Sequence, residues 1–90
     1  MAIELRKKHK ETIRKINHRP VLGTIPWADI ESLFIALGAK IEERAGSRVV
    51  VVFNDKPHVF HRPHPTPDTD KGAVNSVKKL LQSEMPDLFD

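Results

Sequence analysis

Ninety residues carrying a net charge of +3 amount to one small domain, because a chain this short buries only about two-thirds of its unfolded surface around a single core. With no cysteine, disulfides and thiolate metal sites are excluded, so apolar burial must carry the stability, which suits a reducing cytoplasm. The opening Met-Ala-Ile-Glu-Leu-Arg-Lys-Lys-His-Lys puts charges where a secretory signal needs an apolar core, and no stretch approaches the ~20 apolar residues of a membrane helix.

Charge is unevenly spread. Residues 1–19 hold seven Lys and Arg against Glu4 and Glu11, a net +5, while residues 20–90 hold eight against ten acids, a net −2. In the basic segment, residues 1–18, Leu5, His9, Thr12, Ile13 and Ile16 recur at helical spacing, which predicts an amphipathic first helix over 3–17. Its charged face, with Arg6, Lys7, Lys10 and Arg14, reads as a solvated surface or as one that meets phosphates or acids.

Pro20 to Pro26, with Gly23, reads as a loop leading into a second helix with Pro26 at its start. Asp29 and Glu31 then fall in a first turn that favours anions. Trp27, Ile30, Leu33, Phe34 and Leu37 form one apolar stripe that closes at Gly38, and the stripe makes Trp27 a packing residue rather than a platform for bases.

From Ala39 the period changes to two, predicting a half-buried strand through Arg44 and a turn at Gly46-Ser47. Arg48 to Phe53 is β-branched on both faces, as a central strand with part of its second face covered would be. After a turn at residues 54–56, Pro57 to Arg62 supplies a third strand, ended by Pro63, Pro65 and Pro67. Thr69 or Asp70 caps a last helix that Pro86 closes ahead of a short acidic tail. The expected fold is α+β in the order α-α-β-β-β-α: a three-stranded antiparallel sheet with helices two and three on one face. Helix one is expected at the sheet edge or on the face bearing Val50 and Val52.

The stretch least like plain scaffolding is Val-Phe-His-Arg-Pro-His-Pro, residues 59–65. His61, Arg62 and His64 crowd at a strand end, where scaffolds present reactive groups. Two imidazoles and a guanidinium suit RNA cleavage without a metal: one His takes the 2′-hydroxyl proton, the other protonates the leaving oxygen, and Arg stabilises the charged phosphorane. Surface histidines with no task are the competing reading. A zinc site from His58, His61 and His64 is disfavoured, since strand residues three apart point to opposite faces. Lys71, Lys78 and Lys79 on the last helix offer a second basic surface, of the kind that grips RNA phosphates or simply stays solvated.

Trp27-Ala28-Asp29-Ile30-Glu31-x-Leu33-Phe34-x-x-Leu37-Gly38-Ala39, then Glu43-Arg44-x-Gly46-Ser47-Arg48-Val49, then His61-x-Pro63-His64-Pro65 and a terminal helix resemble a HicA-type toxin over about residues 25–83. The resemblance implies a fold like that of double-stranded-RNA-binding domains, with residues 25–85 as its core. It also implies a messenger-RNA endoribonuclease silenced by a HicB-like antitoxin; the charged N-terminus and lack of cysteine add the expectation of a cytoplasmic protein, and no cofactor is expected. After the Gly-Ser turn the family usually places a catalytic histidine, and this chain has Arg48. Either His61 or His64 supplies the imidazole with Arg48 as phosphate clamp, or the nuclease activity is lost and the chain is a non-catalytic module that binds RNA or the antitoxin. The first helix exceeds the family pattern, and RNA, the antitoxin or a second copy of the chain in a homo-oligomer are the partners open to it.

Overall fold

The computed structural model describes residues 5–89. Its order is α1 (Lys7–Ile16), β1 (Ile25–Pro26), α2 (Trp27–Ala36), β2 (Lys40–Glu43), β3 (Arg48–Phe53), β4 (Lys56–His61), β5 (Asp68–Thr69) and α3 (Lys71–Glu84), with a 3-10 turn at Pro86–Phe89. Strands β2, β3 and β4 form an antiparallel sheet with β3 in the centre. Along β3, Val49, Val51 and Phe53 point inward and are buried, as is Phe60 of β4. They join Trp27, Ile30, Leu33 and Phe34 of α2 and Val74, Val77 and Leu81 of α3 in one core. The α+β fold expected from the sequence is thus the one observed, with the sheet as one layer and helices as the other.

Helix α2 ends as its sequence dictates. Gly38 adopts a left-handed φ of 94°; its N–H bonds to the Ile35 carbonyl at 3.0 Å, and that of Ala39 to the Phe34 carbonyl at 3.0 Å. These two bonds satisfy carbonyls that a helix end leaves orphaned, and only a residue without Cβ takes this conformation freely. The chain is thereby turned straight into β2. The β3–β4 hairpin closes through Asn54 and Asp55, both with positive φ, the two-residue loop whose twist matches the flanking strands. Asn54 Nδ2 donates to Glu84 at 2.8 Å and Lys56 Nζ to the same carboxylate at 3.3 Å, tying the hairpin to the end of α3.

Several expectations need correction. Helix α1 packs on α2, α3 and β1, not on the face bearing Val50 and Val52, because its buried stripe of His9, Thr12 and Ile16 is short and meets the other helices. Residues 3 and 4 of the expected helix lie outside the described residues. The second face of β3 is partly covered as expected, Val50 being buried and Val52 half-buried, but it is open along β4, where Val59 opposite Val50 is 60 % exposed. The two stretches read as loops pair with each other, Ile25 with Thr69 and Pro26 with Asp68. Such a bridge of two residues leaves no periodicity to detect. The expected acidic tail is a 3-10 turn whose Leu88 and Phe89 pack on the core. Asp29 alone is the acidic residue in the first turn of α2; Glu31 serves elsewhere.

Candidate functional site

Arg48 and His61 lie directly opposite each other at the end of the β3–β4 ladder. Beyond them the Arg62 N–H donates to the Ser47 carbonyl at 2.8 Å, so Ser47 and Arg62 form a hydrogen-bonded pair. Pairs alternate along an antiparallel ladder, which makes Arg48 and His61 a non-hydrogen-bonded pair, the kind whose Cα atoms approach to about 4.5 Å and whose side chains stand closest. Both are exposed on the open face. Among the described residues Arg48 makes no ion pair. Its backbone is held on the other side, where its carbonyl accepts the Arg44 N–H at 3.0 Å.

Arg62 is turned the other way. Its Nε donates to Glu31 Oε1 at 2.8 Å and its Nη1 to Glu43 Oε1 at 2.5 Å. Hydrogen bonds first to Glu31 and then to Glu43 raise its pKa above the ordinary guanidinium value, so it stays charged. Expected as an RNA contact, Arg62 is a latch that joins the exit of β4 to α2 and to the end of β2. The same Glu31 oxygen accepts the indole N–H of Trp27 at 2.8 Å, while the Trp27 backbone N–H donates to the Pro67 carbonyl at 3.0 Å. Trp27 thus grips both ends of the loop that carries His64: one through Glu31 and Arg62, the other through Pro67. Its ring also lies 5.6 Å from that of Phe60, one residue before His61. His64 itself is exposed between Pro63 and Pro65.

The unequal exposure of the two carboxylates decides which matters more. Glu31 is 20 % exposed and Glu43 73 %. Removing Glu31 strands the indole N–H of buried Trp27, which costs about 1–3 kcal/mol, whereas an exposed ion pair such as that with Glu43 contributes about 0–1 kcal/mol. Glu31→Ala is therefore expected to lower the melting temperature by roughly 4–8 °C per kcal/mol and Glu43→Ala to leave it nearly unchanged. Equal melting curves for the two variants would contradict this account of the latch.

The three lysines of α3 separate. Lys71 and Lys79 are exposed, but Lys78 is only 6 % exposed, because it occupies the buried stripe with Val74, Val77 and Leu81 at i, i+3, i+4 and i+7 spacing. Its stem packs against the interior, and only Lys71 and Lys79 are left on the surface. Lys71 also lies over Gly23, where an added Cβ would sit 3.4 Å from its Cε. On α1, Arg6, Lys7, Lys10 and Arg14 are exposed, and Arg14 pairs with Glu11.

Two participants escaped the sequence reading. In sequence Glu31 reads as an anion of the helix's first turn, although its i, i+4 spacing from Trp27 signals that an indole N–H and a carboxylate share a helix face. For Glu43 no local signal exists, since its partner is 19 residues away. A concavity of about 340 Å3 lined by Gly38, Lys40, Glu42, Val52, Asn54 and Asp55 occupies the hairpin end of the open face, away from Arg48 and His61. It sets Lys40 against two carboxylates and holds no histidine, so the ladder row is the better candidate. Residues 27–83 match the family model for the HicA toxin of bacterial toxin-antitoxin systems. No curated protein and no solved structure matches the chain.

Proposed function

We propose that this chain, which belongs to the HicA toxin family, cuts messenger RNA without a metal ion and is silenced in the cytoplasm by a HicB-like antitoxin. The observation that carries this reading is the Arg48–His61 pair on the open end of the sheet, with His64 on a loop anchored at both ends. One imidazole takes the proton of a 2′-hydroxyl, whose oxygen attacks the adjoining phosphorus. The other protonates the 5′-oxygen as its bond to phosphorus breaks, and no water or metal enters that step. Arg48 faces the charge that builds on the phosphorane, where a planar guanidinium binds two oxygens at once. Lys71 and Lys79 add phosphate contacts. The antitoxin has an apolar anchor beside this row in Val59, so one bound partner could cover both.

The non-catalytic alternative is favoured by Arg48 itself, which stands where the resemblance places a histidine. One experiment separates the readings. Purified protein is incubated with messenger RNA in chelator, and induced expression is followed for growth arrest. Cleavage that persists in chelator supports the metal-independent nuclease. Binding with no cleavage supports the module, and a strict divalent requirement overturns the imidazole mechanism.

A further inference from the structure

Helix α1 lies outside residues 27–83, yet the chain's positive charge is concentrated in and around it. The net +5 of residues 1–19 faces a net −2 over residues 20–90. A body of net negative charge repels a polyanion at long range, so the long-range attraction toward nucleic acid comes chiefly from the first segment, whatever contacts single cations of the body make at close range.

The geometry of α1 suits that task. His9, Thr12 and Ile16 are buried, and His9 Nε2 lies 3.1 Å from Ser32 Oγ of α2, which fixes the rotation of the helix. Arg6, Lys10 and Arg14 are thereby turned outward four residues apart, roughly 6 Å per step along the axis, with Lys7 beside them. The exposed residues of this helix and its N-cap are Arg6, Lys7, Lys8, Lys10, Glu11 and Arg14. None is aromatic or apolar. Single-strand binding relies on aromatic platforms for stacked bases, and protein interfaces centre on large buried anchors; this face offers neither. What remains is recognition of regularly spaced phosphates on a double helix, without regard to sequence. Moreover, α1 sits with the helices, while Arg48 and His61 project from the opposite face of the sheet.

We propose that Arg6, Lys7, Lys10 and Arg14 form a second nucleic-acid site that grips the phosphate backbone of a double-helical RNA segment, separate from the strand presented to Arg48 and His61. This rests on the RNA-directed reading above for the class of ligand. The test uses the full chain and a labelled RNA duplex of about 16 base pairs, titrated at several salt concentrations between about 50 and 200 mM. The triple variant Arg6→Gln, Lys7→Gln, Lys10→Gln removes exposed charges alone, and its melting curve checks the fold. Its affinity for the duplex is expected to fall, with the slope of log K against log salt smaller by about 0.7–0.9 per lost contact, so by roughly 2–3. Lys40→Gln with Lys56→Gln, two charges removed from the sheet, should leave the slope unchanged. Wild-type affinity and slope in the folded triple variant would overturn the site, as would loss of an acidic protein partner with duplex binding intact. Duplex binding through α1 by a chain that cleaves nothing would uphold this site while overturning the nuclease reading.

Discussion

His61→Ala and His64→Ala are each expected to slow RNA cleavage by about 10²–10⁴-fold, the contribution of one positioned general acid or base. Neither variant should unfold the protein, because both imidazoles are exposed and neither makes a hydrogen bond among the described residues. The two positions differ in how they are held. His61 belongs to the ladder and is fixed by its pairing with Arg48; His64 depends on the loop, whose ends are held by Arg62 and Pro67. Loosening the Glu31 latch should for that reason depress the rate through His64 while leaving the ladder row in place. Single-turnover cleavage of a defined messenger RNA, with melting curves for each variant, checks this. Wild-type rates in both single variants would remove the histidine pair from the chemistry.

How far the sequence disclosed this site follows from the range of the interactions involved. Helix α2 was legible because its stripe from Trp27 to Leu37 repeats locally and Gly38 marks its end. The hairpin strands were legible because Val49 to Val52 are β-branched and bounded by turn residues. Their register, which puts His61 opposite Arg48, is set by the two-residue loop at Asn54 and Asp55. The latch was not legible, since Glu31 and Arg62 are 31 residues apart and a carboxylate in a helix carries no mark of its distant partner. Lys78 misled for the opposite reason. Its charge argued for solvent, whereas its place between Val77 and Leu81 put the stem against the core, and a long aliphatic chain tolerates that. The seat of α1 also lay beyond reach: an amphipathic helix declares which face it buries, not against which layer.

The largest change of sign is expected at Arg48. Its guanidinium stays protonated in any protein and so cannot accept a proton, but it can clamp two phosphate oxygens. Arg48→Ala should therefore weaken RNA binding or the stabilisation of the transition state. Arg48→His places an imidazole on the central strand, in the pair where side chains stand closest, directly across from His61. The backbone there is held by the carbonyl bond to Arg44 on one side and by the Ser47–Arg62 pair on the other, so the new ring would be well oriented. If the nuclease was lost by replacement at this position, Arg48→His should raise cleavage by up to about 10²–10⁴-fold, the worth of a restored acid or base. If His61 and His64 already act as the pair, the same substitution removes the clamp and lowers the rate. Cleavage rate and RNA affinity, measured for wild type, Arg48→Ala and Arg48→His, tell these apart by direction alone. Should Arg48→His leave an inactive protein inactive and Arg48→Ala leave affinity unchanged, the open sheet face is not an RNA site, and binding would rest on the helices alone.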